Sequence, residues 1–223
     1  MPFILALLLS LLAYQAGFAQ AEHPVTGRKI APVMGAAGAG WLERSERERE
    51  EAPENAINAM GVQPGMIVAD VGAGTGYFTI RLAKRVGPNG KVYANDVQPE
   101  MLDKIRSRSQ ELHLENIETV LGSEADPKLP AGKLDIVLLV DVYHELSQPQ
   151  RMLEAIRIAL KPDGRLILLE YRKEDPTIPI RPDHKMSIPE VRTELEAEGF
   201  KMEKVLDTLP RQHLFIFGKA RIQ

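Results

Sequence analysis

Three glycines occupy alternate positions in the segment VADVGAGTGYF, residues 68–78. An apolar run precedes them, and the helix-like segment IRLAKRV follows. A strand that ends in a glycine-rich turn and leads into a helix lets a ligand contact backbone N–H groups, because glycine has no side chain. The spacing is GxGxG, whereas the dinucleotide fingerprint is GxGxxG and would place a glycine at Tyr77. The segment therefore predicts a site for a nucleotide-like ligand.

A carboxylate, Asp96, ends the next apolar run, KVYAND, and follows Gly72 by 24 residues. At the carboxyl edge of a parallel sheet it would lie beside the glycine turn, where it can accept hydrogen bonds from both hydroxyls of a ribose. Taken alone, Asp96 also fits an acid near the start of the helix that begins at Pro99, stabilised by the helix dipole. Together with the glycine turn, its position favours ribose binding.

Strand-like and helix-like segments alternate from residue 53 onward. Helices are predicted over residues 53–60, 77–86, 99–114, 147–160 and 187–198, and strands over 66–71, 91–96, 117–121, 134–142, 165–171, 201–207 and 213–219. The first five strands are largely apolar, which is typical of a parallel sheet covered by helices on both faces. A short loop joins the last two strands, which must therefore be antiparallel. We predict an α/β fold with a Rossmann-like, doubly wound, mostly parallel seven-stranded sheet and an antiparallel C-terminal strand.

Local signals mark two of these helices. Ser187 and Glu190 predict a capping box, and Gly199 is expected to end the helix that it starts. Leu102, Ile105 and Leu112 recur at helical spacing in the segment 99–114, which predicts that this helix buries one apolar face.

The composition indicates one globular domain. The chain has 223 residues, of which 44% are hydrophobic and 26% charged, so a sizeable core is available. Its net charge of −3 supplies no basic field for a phosphate backbone, which disfavours nucleic acid as a partner. The chain has no cysteine, which excludes disulfides, thiolate zinc sites and a cysteine nucleophile.

Residues 1–21 are almost continuously apolar and end in an AxA pattern. This favours a cleaved secretory signal peptide, with an uncleaved membrane anchor or a misassigned start codon as alternatives. Membrane contact through this segment follows if it is an uncleaved anchor. Residues 22–52 form a polar N-terminal segment that contains WLERSEREREE. We favour a solvated helix held by local ion pairs there, and the alternative is a lid that places Met34 and Trp41 over the ligand.

Four segments, VADVGAGTGYF, KVYAND, LDIVLLVD and LKPDGRL, together resemble class I S-adenosylmethionine-dependent methyltransferases of the ubiquinone and menaquinone type. The resemblance covers residues 53–219 and implies S-adenosylmethionine as cofactor. It assigns the three glycines to the methionine and ribose portion of the donor, Asp70 to the loop or the donor's amino group, and Asp96 to the ribose. The cofactor-binding residues that we expect on the first two strands are Asp70, Gly72, Ala73, Gly74, Thr75, Gly76, Asp96 and Val97.

The adenine contact departs from the family pattern. An acidic residue usually follows the third strand, where this chain has Ser123, with Glu124 and Asp126 just beyond it. We expect Asp126 and the backbone of Ala125 to contact the adenine. The alternative is that both acids are ordinary loop charges.

The segment VDVYHEL, residues 140–146, ends the fourth strand where an acceptor would meet the donor. Methyl transfer needs alignment and, for a protonated nucleophile, a base. Asp141 is expected to orient the methionine amine, and His144 or Glu145 to accept a proton, because an imidazole titrates in the useful range. Tyr143 is expected to form a wall of the acceptor site. Alternatively, Glu145 caps a helix and His144 is a hydrogen-bonded structural group.

No metal site is expected, because pairs of Asp141 with His144, His184 or His213 lack convincing ligand spacing. A basic loop, residues 170–186, follows the fifth strand and could contact an anionic acceptor. Its candidates are Arg172, Lys173, Arg181, His184 and Lys185, each of which also fits a solvated connector.

We therefore expect a methyltransferase that acts on a small-molecule acceptor. The alternatives are a non-catalytic or exported module that binds the donor, and an NAD-dependent oxidoreductase, which the departure at Tyr77 disfavours. The acceptor atom, the oligomeric state and the cellular location stay open.

Overall fold

The computed structural model describes residues 20–220, so most of the apolar leader lies outside the described residues. The chain forms a seven-stranded sheet in the order β3-β2-β1-β4-β5-β7-β6. The strands are β1 Ile67–Val71, β2 Lys91–Asp96, β3 Ile117–Leu121, β4 Leu134–Val140, β5 Leu160–Tyr171, β6 Phe200–Leu206 and β7 Gln212–Lys219. The helices are α1 Ala39–Leu42, α2 Arg47–Glu51, α3 Pro53–Met60, α4 Tyr77–Val86, α5 Pro99–Glu111, α6 Pro149–Ala159 and α7 Ile188–Ala197.

The predicted fold class is confirmed. Strands β1 to β5 are parallel to one another, and β7 is antiparallel to both β5 and β6. The chain order reverses between β1 and β4, which pair from Val68 with Ile136 to Val71 with Leu139. In open α/β sheets a ligand binds in the crevice at such a switch point, outside the carboxyl ends of the strands. The loops after β1, β2 and β4 all start there.

Helices cover both faces of the sheet and form two apolar layers. On one face, Val137 and Leu168 lie in a core with Leu153 of α6 and Leu195 of α7. On the other face, the core contains these residues from β1, β4, α3 and α4: Val68, Leu138, Ile57 and Leu82. Burial on both faces explains why β1 and β4 are apolar at consecutive positions, apart from Asp70 and Asp135. The sheet edge is thus a rigid platform for its loops.

The ends of two elements differ by three residues or more from the sequence expectation. Helix α5 ends at Glu111 because His113 adopts a left-handed conformation (φ 53°), which leaves Leu112 exposed. Strand β5 begins at Leu160 rather than at Arg165, and its pairing with β4 shifts register next to Leu134. The KPDG segment is therefore a bulge within the strand. The predicted capping box is present, since the Glu190 N–H donates to Ser187 and the Glu190 carboxylate accepts from the Ser187 N–H.

Residues 20–51 cross the carboxyl edge of the sheet before the first strand begins. Arg28 fastens the first part, because its guanidinium makes two hydrogen bonds of 3.1 Å to Glu194 of α7. Further along, the carbonyl of Met34 accepts a hydrogen bond from the Gln98 side chain at 3.0 Å. We call residues 33–51 the strap. Within residues 20–220, no helix is both long and apolar enough to cross a membrane.

Candidate functional site

A cavity of about 370 Å³ lies at the switch point, between the sheet edge and the strap. This volume falls in the range of small-molecule sites. Its walls come from the loops after β1 to β5 and from the strap. The residues that line it include Met34, Trp41, Leu42, Arg47, Gly72, Gly74, Asp96, Val97, Ser123, Glu124, Asp141, His144, Glu145, Arg181 and His184.

The glycine turn contributes two of its three glycines to the cavity. Gly72 has φ 71°, and a Cβ there would lie 2.5 Å from the Val142 side chain. Gly74 also has a positive φ, and a Cβ would meet Leu42 of the strap at 2.9 Å. Only glycine therefore fits these two positions without displacing a neighbour.

The remaining residues of the turn contact other parts of the protein and do not line the cavity. A Cβ at Gly76 would lie 2.9 Å from Ile105, so this glycine allows α4 and α5 to pack closely. The N–H of Ala73 donates to the Asn95 carbonyl at 2.9 Å, and the Thr75 hydroxyl donates to Glu43. The sequence predicts that Ala73, Thr75 and Gly76 bind S-adenosylmethionine, but none of these three residues lines the cavity.

Asp96 lies beside the turn, as its spacing predicts. One carboxylate oxygen accepts the Gly74 N–H at 2.9 Å and the other accepts the Gln98 N–H at 2.9 Å. Burial raises the pKa of Asp96, and the backbone N–H groups oppose that shift. Each oxygen keeps acceptor capacity for a ribose hydroxyl. Val97 is partly exposed and lines the same wall.

Asp70 is buried beneath the turn and does not line the cavity. Its carboxylate accepts a hydrogen bond from the Thr79 hydroxyl at 2.6 Å, which ties β1 to α4. It therefore supports the loop and does not reach an amino group in the cavity. Burial raises the pKa of Asp70 to about 6, against the opposing hydrogen bond from Thr79.

The raised pKa of Asp70 predicts that the stability of the folded protein depends on pH. A carboxyl whose pKa is higher in the folded protein binds more protons there, so stability falls as the pH rises through the interval between the two pKa values. As the pH rises from 4.5 to 7.5, we expect the unfolding free energy of Asp70→Asn to increase by about 2 kcal/mol relative to that of the wild type. Urea unfolding at both pH values measures this difference. The exposed Asp103→Asn should show no such gain, and a constant difference for Asp70→Asn would contradict the assignment.

Asp141 follows β4 directly and turns the chain with φ 52°. Its Oδ2 accepts a hydrogen bond from the Gln212 side chain at 2.7 Å, whereas its buried Oδ1 has no partner among the described residues. Burial first, and then the charges of Glu51 and Glu170, raise the pKa of Asp141 well above its usual range. A buried carboxylate oxygen without a donor is costly. It therefore marks a place where a cationic ligand group would be stabilised.

The strap carries charged residues that the sequence analysis placed in solvent. Arg47 and Glu51 are buried, and the Arg47 Nε donates to the Glu51 carboxylate at 2.7 Å. The Tyr171 hydroxyl and Arg44 also donate to Glu51, at 3.0 and 2.9 Å. The favoured interpretation of a solvated helix is thus wrong for its inner face. Alternating charges hid this, because a buried ion pair has the same i, i+4 spacing as an exposed one.

Tyr77 connects the strap to the glycine turn. Its hydroxyl donates to Glu48 at 2.7 Å, and the guanidinium carbons of Arg47 and Arg81 each lie 4.0 Å from its ring centroid. Met34 and Trp41 line the cavity from the strap side. The residue that departs from the dinucleotide fingerprint is therefore a docking point for the strap.

The expected adenine contacts lie elsewhere. Asp126 is exposed and accepts the Lys128 N–H at 2.7 Å, and neither it nor Ala125 lines the cavity. Asp126 closes a local turn because its side chain hydrogen-bonds two residues onward. Ser123 and Glu124 line the cavity instead. Asp126 and Ala125 therefore lie outside the cavity lining, and their contact with adenine stays a prediction.

His144 is held at the far end of the cavity by a carboxylate that the sequence analysis missed. Its Nδ1 lies 2.7 Å from Glu170 Oε2, and Glu170 is fully buried and also accepts the Tyr143 N–H at 2.9 Å. In the sequence, Glu170 stands out only as an acidic residue at the end of the apolar run LILL. This contact fixes the orientation of the imidazole.

Glu145 and His184 join His144 although the sequence separates the two histidines by 40 positions. The His144 Nε2 lies 3.0 Å from the His184 Nδ1, and Glu145 Oε1 lies 3.9 and 3.7 Å from these two atoms. Burial raises the pKa of Glu145 to about 7, against the attraction of His144. Burial lowers the pKa of His184. These three side chains are grouped even though no metal site was expected, and His213 instead contacts Asp207 and Glu174.

Tyr143 does not form a wall of the cavity. Its side chain is fully buried, and its hydroxyl lies 3.2 Å from the His23 Nε2. The short 3₁₀ turn Tyr143–Glu145 directs residues 143 and 144 to different sides, so only His144 and Glu145 reach the cavity. Tyr143 therefore helps to anchor the N-terminal segment.

Of the five candidate residues in the basic loop, Arg181 and His184 line the cavity. Lys185 is buried and donates to the Ile178 carbonyl at 2.7 Å, and Arg172 donates to the Leu209 carbonyl at 2.8 Å. Lys173 pairs with Glu190. These three residues hold the loop and leave little charge for an anionic acceptor.

The geometry agrees with comparisons to known proteins. A family model described as a methyltransferase domain matches residues 63–208, more than half of the chain. The chain belongs to this family. A solved SAM-dependent methyltransferase from Aquifex aeolicus is 30% identical, with a TM-score of 0.78, over 83% of this chain and 98% of that one. A TehB-like methyltransferase from Corynebacterium glutamicum, 16% identical over 83% of this chain and 100% of its own, shares the fold with a TM-score of 0.61.

Curated relatives of this methyltransferase include ubiquinone/menaquinone biosynthesis C-methyltransferases UbiE. The one from Hydrogenovibrio crunogenus is 32% identical over 120 residues, which are 53% of this chain and 47% of the relative. The one from Escherichia fergusonii is 29% identical over 118 residues, 52% of this chain and 47% of the relative. This methyltransferase thus spans about half the length of the curated relatives that it matches.

The methyltransferase uses S-adenosylmethionine as its cofactor. Its cavity suits that molecule: the unpartnered Oδ1 of Asp141 matches an ammonium group, and Asp96 lies beside the side-chain-free turn at Gly72 and Gly74. Membership in the family favours methyl transfer over the dehydrogenase alternative.

Proposed function

We propose that this methyltransferase transfers the methyl group of S-adenosylmethionine to a small molecule that carries a phenolic or enolic hydroxyl. The observation that carries the proposal is that one cavity is lined by two groups of residues. Asp141, Gly72 and Asp96 form the first group, which we call the donor end, and the clustered side chains of His144, Glu145 and His184 form the second, the acceptor end. Sulfonium chemistry supplies an electrophilic methyl carbon, so the protein has to align the acceptor and manage its proton.

At the donor end, Asp141 holds the methionine ammonium and Asp96 holds the ribose hydroxyls. Gly72 and Gly74 let the donor lie against the backbone of the turn, and Leu42 and Trp41 of the strap exclude water from above it. Exclusion of water strengthens the electrostatic contacts inside the cavity. Ser123 and Glu124 replace Asp126 as the groups nearest to the adenine.

At the acceptor end, the hydroxyl of the acceptor lies beside His144 and Glu145. Glu170 orients the imidazole of His144 by the 2.7 Å contact at Nδ1, which leaves Nε2 facing His184. The rest of the wall is formed largely by apolar side chains such as Val33, Leu146 and Ile180. An uncharged aromatic ring suits this wall better than a phosphate or a carboxylate does.

The curated relatives are named for C-methylation in ubiquinone and menaquinone biosynthesis. A hydroxylated quinol ring is therefore the first acceptor class to test, with transfer either to a ring carbon or to the hydroxyl oxygen. The test is transfer of a labelled methyl group from the donor to a naphthoquinol, a catechol and a simple phenol. Mass spectrometry of the products distinguishes a C-methyl from an O-methyl group. Labelling of none of the three would reject the proposed acceptor class.

Donor binding is measured separately, by titration of the protein with S-adenosylmethionine and with NAD. We expect Asp96→Ala to weaken S-adenosylmethionine binding about tenfold or more, because two hydrogen bonds to a charged group are lost. Adenine and methionine contacts stay in place in this variant. An unchanged dissociation constant would remove Asp96 from the donor site. Tighter binding of NAD than of S-adenosylmethionine to the wild type would overturn the assignment of the whole cavity.

A further inference from the structure

Three side chains at the acceptor end of the cavity direct ligand-type atoms toward one point. The His144 Nε2 and the His184 Nδ1 are 3.0 Å apart, and Glu145 Oε1 lies 3.9 Å from the first and 3.7 Å from the second. All three residues line the cavity. Two imidazoles and one carboxylate are a ligand set that divalent transition metals prefer.

The separations agree with a shared metal ion. Zinc binds nitrogen and oxygen ligands at about 2.0–2.2 Å, which gives edges of about 3.3–3.6 Å between the ligand atoms of a tetrahedron. The three separations lie on both sides of this value. Shifts of a few tenths of an ångström would make all three equal.

A buried carboxylate already orients one of the histidines. Glu170 Oε2 lies 2.7 Å from the His144 Nδ1, and the carboxylate of Glu170 is fully shielded from solvent. Histidines that bind metals almost always donate their other ring N–H to such a group, which fixes the tautomer and the orientation. With Nδ1 protonated, the His144 Nε2 presents its lone pair to His184 and Glu145.

The two 3₁₀ turns that supply the ligands leave one side of the group open. His144 and Glu145 come from the turn Tyr143–Glu145, and His184 ends the turn Pro182–His184. Protein atoms cover the Glu170 side, and the cavity lies on the other. Three protein ligands with a position open to a cavity is the arrangement of catalytic rather than structural metal sites.

We propose that His144, His184 and Glu145 bind one divalent transition-metal ion, with Zn²⁺ as the first choice, and that its open position takes an oxygen of the acceptor. Metal binding does not depend on the proposed function. Only the contact between the ion and the acceptor rests on the proposed function. The ion binds and orients the hydroxyl oxygen next to the donor end. The site is not evident from the sequence, because His184 lies 40 positions from His144 along the chain.

Metal binding is tested on the full chain, purified without a histidine tag and stripped with a chelator. Calorimetric titration with Zn²⁺ should show one site per chain with submicromolar affinity. Co²⁺ should give the visible absorption bands of a site with nitrogen and oxygen ligands. We expect His184→Ala and Glu145→Gln to weaken Zn²⁺ binding at least 100-fold, and Glu170→Gln to weaken it about 10-fold to 100-fold.

The control is His113→Ala, since this histidine is exposed on the loop after α5 and is not a lining residue of the cavity. It should bind Zn²⁺ as the wild type does. Affinity for S-adenosylmethionine, measured on each variant, reports that the fold and the donor end are intact. Wild-type protein without submicromolar Zn²⁺ binding, or His184→Ala with unchanged affinity, would overturn the metal site.

The outcomes separate this inference from the proposed function. Zinc binding without methyl transfer to any hydroxylated acceptor supports the metal site and rejects the acceptor class. Transfer at an undiminished rate in protein that binds no metal rejects the metal site, and His144 then acts as a simple base. Transfer that is lost on chelation and restored by Zn²⁺ supports both.

Discussion

Replacing Gly72 with valine is expected to weaken S-adenosylmethionine binding about 100-fold or more. Gly72 has φ 71°, and a Cβ at this position would lie 2.5 Å from the Cγ2 atom of Val142. Valine would combine the strain of a positive φ, about 1–3 kcal/mol, with an overpacking cost of similar size. Relief requires movement of the turn or of Val142, and either movement displaces the surface against which the donor lies. Calorimetric titration with the donor measures the loss.

The matched control is Gly61→Val. Gly61 has nearly the same backbone angle, φ 73°, but a Cβ there would meet no atom within 4 Å. Both variants therefore carry the backbone strain, and only the change at Gly72 adds the contact with Val142. Thermal unfolding of both proteins reports the shared cost. If Gly72→Val prevents folding, the smaller Gly72→Ala serves in its place. Equal donor affinity in the two variants would show that the turn does not form the donor surface.

Replacing Asp141 with asparagine is expected to weaken S-adenosylmethionine binding about 100-fold. Removal of one partner of a buried charged pair costs about 2–5 kcal/mol, because the other charge is left without compensation. The asparagine keeps the size of the side chain and can still accept the hydrogen bond from Gln212. It loses the negative charge at Oδ1, the atom without a partner. Titration of both proteins at pH 7 measures the loss.

The pH dependence of binding gives a second readout for Asp141. Burial and the charges of Glu51 and Glu170 raise its pKa in the free protein, with Arg47 opposing them. The ammonium group of the donor lowers the pKa in the complex, so the complex holds fewer protons and affinity rises with pH. We expect this rise in the wild type at pH values below the pKa of the donor's amine, which is about 7.7–8.0 for an unperturbed α-amino group. The asparagine variant should lack it.

The control for Asp141 is Asp126→Asn. Asp126 is also a carboxylate that follows a strand at this edge, but it is exposed and does not line the cavity. Its variant should bind the donor as the wild type does. A loss of affinity in Asp126→Asn would restore the adenine contact that the sequence suggested. Unchanged affinity in Asp141→Asn would remove the ammonium assignment.

The sequence predicts those parts of the fold that depend on local pattern. Strands β2 and β3 and helices α3 and α4 have the bounds that hydrophobic runs, prolines and glycines indicate. The capping box at Ser187 is present for the same reason, since its hydrogen bonds join residues three positions apart. Glycine spacing located the turn, and the 24-residue separation placed Asp96 beside it.

The sequence does not predict the position of a residue when that position depends on side-chain direction or on a tertiary contact. Tyr143 and His144 are neighbours in one motif, yet the 3₁₀ turn buries the first and exposes the second to the cavity. His184 reaches His144 only because the loop after β5 folds back over the sheet edge. Arg47 and Glu51 have an ion-pair spacing typical of exposed helices, and only packing against Tyr171 shows that they are buried. No local pattern carries that information.

The strap has a consequence for how specificity is distributed along the chain. Residues 33–51 form one wall of the cavity, but they precede the region 63–208 that the methyltransferase family shares. The strap and the glycine turn, which both line the cavity, thus lie in separate stretches of the chain. A recombinant domain trimmed to the shared region would lack Met34, Trp41 and Leu42, and its cavity would open to water. Changes in the strap could therefore alter which acceptors are admitted without any change in the glycine turn.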